Sequence, residues 1–142
     1  MRLALALCLT ALPAFADVQR AIETHILPGH TALAQATDEL ASDAAENCAP
    51  DAVRPAFHAA YDAWISISHI QFGPIEDQAL NLQMHFWPDP KDSTGKALAR
   101  LTAAQDPIVD NPGAWGEVSA AAQGFTALER LLYEPQTDTD YA

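Results

Sequence analysis

Val53–Gln71 reads VRPAFHAAYDAWISISHIQ, and within it Phe57, Ala60, Tyr61, Trp64, Ile67, Ser68 and Gln71 recur at steps of three and four. An α-helix turns about 100° per residue, so these side chains form one stripe, the buried face of an amphipathic helix. The helix is expected to start near Val53, with Pro55 early and Asp51 as its cap. Phe72-Gly73-Pro74 is expected to end it, because proline drives the preceding residue out of the helical region.

The neighbouring segments repeat the pattern. From about Val18 to Asn47, Ile22, Ile26, Leu33, Leu40 and many alanines supply an apolar side. Leu27-Pro28-Gly29 interrupts it and predicts a kink or a restart, since proline lacks the N–H and clashes with the preceding turn. Residues 75–86 predict a shorter helix carrying Leu80, Leu82 and Met84. Trp87-Pro88-Asp89-Pro90 reads as an ordered loop with a large aromatic anchor. Ser93 or Thr94 is expected to cap a helix bearing Leu98 and Leu101, and residues 106–116 read as loop. A last helix is expected over about Glu117 to Tyr133, where Gly124 costs about 1 kcal/mol relative to alanine and so calls for a packing or site reason. No segment alternates with the period of a strand. The fold class is all-α, a helical bundle of four to five helices.

Residues 1–16 carry the marks of a secretory signal: Met1-Arg2, the apolar run Leu3 to Leu12, Pro13, and the A-x-A cleavage pattern Ala14-Phe15-Ala16. The apolar run is about half the roughly 20 residues a spanning helix needs. Cleavage leaves 126 of the 142 residues, enough for one domain with a modest core. It also removes one of the 7 basic residues, taking the net charge from -12 to -13. A surface so acidic repels nucleic acid and anionic lipid, suits cationic ligands, and also simply keeps an exported protein in solution. No later segment is long and apolar enough to span a membrane. Cys48 then stands alone in an oxidising compartment, and Glu134 to Ala142 (EPQTDTDYA) reads as a connection that continues. The expected organisation is a signal peptide over 1–16 and a helical domain over 17–142 that is the N-terminal part of a longer protein.

For chemistry, Glu129 is the most informative charge. Phe125, Leu128 and Leu132 share a narrow arc of the last helix and Glu129 falls beside it, whereas Arg130 points towards solvent. A carboxylate there needs a partner: a metal, an arginine, a histidine, backbone donors, or water at a boundary. His58, Asp62 and His69 fall within about 40° of one another, a spacing that chelates metal or forms a solvated face. His69, close to the helix end, could reach the end of the bundle. His25 and His30 straddle Pro28, lining a kink or lying on the surface, and His85 is expected to pack against aromatics beside Phe86-Trp87. There is no glycine-rich phosphate loop, H-E-x-x-H, C-x-x-C, nucleophile elbow or haem-attachment motif.

Three stretches together resemble a known family: Ile70-Gln71-Phe72-Gly73-Pro74, Phe86-Trp87-Pro88-Asp89-Pro90-Lys91, and Ala122 to Tyr133 (AQGFTALERLLY). The chain resembles the imelysins, iron-regulated bacterial proteins of the periplasm or outer membrane, first described as insulin-cleaving peptidases. The resemblance implies an all-α fold of two related helical bundles, of which this chain is the N-terminal half, with a partner for Cys48 beyond Ala142. The family signature G-x-H-x-x-E is matched by Gly124 and Glu129, but Thr126 stands at the histidine position. Threonine is a poor ligand for a transition metal, and a catalytic zinc typically wants three protein ligands. The implied function is therefore iron or metal acquisition by binding iron, another divalent metal, or a metal-bearing partner. Glu129, His69, His30 and Glu76 are the candidate ligands, and no catalytic residue is assigned. The alternatives are a metal-dependent peptidase of the family, and a periplasmic interaction module that meets an envelope partner through the Trp87 loop or the acidic surface.

Overall fold

The computed structural model describes residues 17–77, 79–103 and 107–134. The export signal expected over 1–16 and the tail beyond Glu134 lie outside them. Every regular element among the described residues is helical, so the all-α expectation holds. Four helices have ten or more residues: α2 (Leu27–Glu46), α3 (Pro50–Ile67), α6 (Ser93–Ala103) and α7 (Gly124–Tyr133). Shorter ones are α1 (Val18–Ala21), α4 (Pro74–Asp77) and α5 (Leu80–Met84).

The stripe on α3 organises the core. Phe57, Ala60, Trp64 and Ile67 are buried against Leu33 and Leu40 of α2 and Phe125 and Leu132 of α7. Burying one such large side chain is worth about 1.5–3 kcal/mol. Tyr61 lies at the edge of the stripe, half-buried, and Gln71 is exposed. α2 lies close on α3 because Gly29 has no side chain: a Cβ there would run into the Ile67 side chain.

Several boundaries depart from expectation. Pro28 does not break the first helix. The chain stays helical from α1 through a π-turn at Ile22–Ile26 into α2, with the Leu27 N–H donating to the Ile22 carbonyl five residues back. The wider turn precedes the proline and absorbs the ring that would otherwise strike the carbonyl of Thr24. α3 begins at Pro50, with Pro55 inside it, and no side chain caps it. Asp51 instead pairs with Arg54. α3 stops at Ile67, before Phe72-Gly73-Pro74.

The single helix expected over 75–86 is two short ones, parted by Ala79 at φ 52°. That left-handed conformation costs a non-glycine residue about 1–2 kcal/mol, and it turns α5 so that its last carbonyls meet Gly124. Trp87 is not a buried anchor: it is 70% exposed. The cap of α6 is neither Ser93 nor Thr94 but Asp89, whose two carboxylate oxygens accept the N–H groups of Ser93 and Thr94 at 2.7 and 2.8 Å. Two 3₁₀ turns, Pro107–Asp110 and Pro112–Glu117, fill much of the expected loop.

The last helix starts at Gly124, not near Glu117. Gln123 is extended and its side-chain amide donates to the carbonyls of Trp115 and Val118. Gly124 then adopts φ 67°. The far end of α7 is held by Arg54, whose Nε donates to the Leu132 carbonyl at 3.0 Å while its guanidinium lies 4.8 Å from the Tyr133 ring centre. A cation there complements the negative end of the helix. Arg130 is not a solvated residue either. It pairs with Asp92 at 2.6 Å and Glu134 at 3.3 Å, tying α7 to the start of α6.

Candidate functional site

The signature glycine and glutamate sit at opposite ends of the first half of α7. Gly124 lies where the helix meets the carbonyl ends of α5, because a Cβ at this position would fall 2.7 Å from the Met84 carbonyl carbon. His85 follows Met84 directly and leaves α5 in an extended conformation. Its ring packs edge-on against Tyr61 of α3, with centroids 5.6 Å apart, and its Nε2 is 3.5 Å from the Tyr61 hydroxyl. Phe125, the residue after Gly124, also packs edge-on against Tyr61, with centroids 5.4 Å apart. The contact between Gly124 and α5 thus sets where His85 stands.

Glu129, one turn further along α7, is exposed. Its negative charge reaches both neighbours. Burial raises the Tyr61 phenol above its ordinary value, and Glu129 raises it further. Burial lowers His85, and Glu129 opposes that shift. Loss of hydration penalises the charged form of each group, whereas a nearby carboxylate penalises phenolate and favours imidazolium. The result is a neutral phenol, an imidazole biased towards its neutral form, and a carboxylate open to water. His85 does pack against an aromatic ring, as expected, but against Tyr61 of another helix.

The other sequence candidates lie elsewhere. His69 sits in the turn after α3 rather than on its face, so it leaves the expected arc with His58 and Asp62. Its Nε2 is 3.1 Å from Nε2 of His25. His58 is hydrogen-bonded to the Tyr133 hydroxyl at 2.6 Å, and Asp62 is exposed. His30 is half-buried in α2, and Glu76 is exposed in α4. Glu129, His69, His30 and Glu76 do not converge: among the described residues no three His, Cys, Asp or Glu side chains form a group that could hold a metal ion. Cys48 is a free, exposed thiol.

Thr126, at the position of the signature histidine, is buried at 9% exposure, and its hydroxyl makes no hydrogen bond to another described residue. It cannot stand in as a ligand for Glu129. The imidazole near Glu129 is that of His85, from a separate element. One imidazole and one carboxylate fall short of the three protein ligands typical of a catalytic zinc.

A separate open cleft of about 510 Å³ lies along α6, with Lys96, Arg100, Leu101, Ile108 and Glu117 among its lining. None of the four sequence candidates lines it. No described helix is long and apolar enough to cross a membrane.

No curated protein and no solved structure matches the chain. The family model Peptidase M75, described as Imelysin, matches residues 26–142, a range that takes in the core helices, Tyr61, His85 and the Gly124–Glu129 signature. With that match over most of its length, the chain belongs to the imelysin family.

Proposed function

We propose that this chain works in the bacterial periplasm, after export, as an imelysin that takes part in iron or metal acquisition by binding the metal or a metal-bearing partner. The observation that carries the reading is the setting of Glu129: an open carboxylate whose charge reaches the His85 imidazole and the Tyr61 phenol. Carboxylate oxygen and neutral imidazole are the donors that ferrous iron and its neighbours in the divalent series accept. The strongly acidic surface, with formal charge -12, concentrates cations near such a site. A site with few protein ligands and easy access to water favours capture and release over hydrolysis, which needs a fixed ion.

Calorimetric titration of the purified protein with ferrous and ferric iron, repeated on Glu129→Ala and His85→Ala, tests the reading. Saturable binding that weakens at least about tenfold in each variant, or about 1.4 kcal/mol, is expected. Absence of saturable binding, or binding unchanged by Glu129→Ala, refutes it. Chelator-sensitive proteolysis by the pure protein would select the peptidase reading instead.

A further inference from the structure

His25 and His69 form the second place where this chain brings nitrogen donors together. They are 44 residues apart and come from different elements, His25 from the π-turn and His69 from the turn after α3. Their Nε2 atoms are 3.1 Å apart, and the rings are stacked at 26° with centroids 5.1 Å apart. Both side chains are exposed.

Two imidazoles facing each other through the same ring nitrogen can share only one proton, one ring donating and the other accepting. A metal ion in place of that proton uses both lone pairs. With metal–nitrogen bonds of about 2.05 Å, a separation of 3.1 Å corresponds to a bond angle of about 98° at the ion, between octahedral and tetrahedral values. His25 lies within the π-turn. Such turns recur at functional sites. We propose that His25 and His69 form a two-histidine site for a borderline divalent transition ion, of the class of copper(II), nickel(II) or zinc, with water completing the coordination shell. Imidazole nitrogen discriminates against calcium and magnesium, which prefer oxygen. The site stands apart from Glu129 and does not depend on the function proposed for that residue.

Titration of the full chain with copper(II), nickel(II) and zinc chlorides, with magnesium chloride as control, tests the proposal in the wild type and in His25→Gln, His69→Gln, the double variant and Glu129→Ala. One ion per chain is expected at this site, counted apart from any ion held near Glu129 as the part of the binding that the histidine variants remove, in the order copper above nickel and zinc, with no magnesium binding. Each histidine variant should weaken it at least tenfold, and the double variant should be no worse than about threefold below either single one, because one lost ligand already opens the chelate. Glu129→Ala should leave the component lost in the histidine variants unchanged. For copper, the electron paramagnetic resonance spectrum should show coupling to two nitrogens in the wild type and lose it in each histidine variant. Both side chains are exposed, so the variants should keep the wild-type far-UV circular dichroism. Wild-type binding that survives either histidine substitution, one ion shared by two chains, or loss of the site in Glu129→Ala overturns the proposal.

Discussion

Gly124→Ala is the substitution with the largest consequence for its size. In a helix interior, glycine to alanine stabilises by about 1 kcal/mol. At Gly124 the sign reverses for two reasons. The residue has φ 67°, where an L side chain costs about 1–2 kcal/mol. The added Cβ also lands 2.7 Å from the Met84 carbonyl carbon and closer still to the carbonyl oxygens of Gln83 and Met84. These are backbone atoms, so no rotamer change relieves the overlap. α5 or the start of α7 must move, at an overpacking cost of about 1–3 kcal/mol. The sum, about 2–5 kcal/mol, is a large share of the roughly 5–15 kcal/mol that holds a domain folded. For a chain of this size it corresponds to a fall in Tm of roughly 10–20 °C. Thermal melting followed by far-UV circular dichroism, with urea unfolding alongside, measures it. Gly124→Asn separates the two causes. Asparagine tolerates positive φ better than alanine but carries the same Cβ, so overlap predicts that it is no better. An alanine variant melting within about 2 °C of the wild type, or an asparagine variant of wild-type stability, would refute the reasoning.

Two further substitutions probe charge. Glu129→Gln should move the His85 titration further below its ordinary value and bring the Tyr61 phenol down towards 10.0, because the Glu129 charge raises both groups. NMR titration of the His85 ring and ultraviolet titration of the tyrosines read the two shifts, and no movement in either group would mean that the carboxylate is too well hydrated to act. Asp89→Asn should flatten acid unfolding. The backbone N–H groups of Thr94 and Ser93 hold Asp89 at about 2, below its ordinary 3.8. A carboxylate depressed in the folded state stabilises the fold fully above its unfolded value, and that contribution fades as pH falls through the folded one. The wild type should therefore lose stability between 3.8 and about 2 more steeply than the variant. Parallel Tm profiles for the two proteins across that interval would contradict the capping role.

What could be read in advance was what repeats along one helix. The α3 stripe was legible because Phe57, Ala60, Trp64 and Ile67 all answer to one period and one buried face. Gly124 was legible as an anomaly in an apolar helix, although its reason lay in α5. The break at Ala79 has no local signal, since alanine is a good helix former, yet it takes a positive φ where α5 packs on α7 and on the turn before it. Asp89 was hidden for a related reason. Its carboxylate caps α6 from four residues before Ser93, across a loop whose path the sequence does not disclose.

The candidate groups fall where periodicity stops. His25 occupies a π-turn, His69 the turn after α3, and His85 the first residue beyond α5. Helical spacing assigns residues to faces, so it grouped His69 with His58 and Asp62, on an arc that His69 leaves because α3 ends at Ile67. In a bundle, faces are consumed by the core, and the polar groups free to meet one another cluster where helices end. The imidazole near Glu129 follows from this: the helix that carries Glu129 offers only the buried Thr126 one turn back, and His85 comes from a neighbouring helix end, positioned by the close approach of Gly124 to the Met84 carbonyl. The signature's glycine and glutamate are thus linked through α5. Gly124 holds the strand of backbone that presents His85, and Glu129 supplies the charge that His85 meets, so a change at either end of the signature alters the same pair.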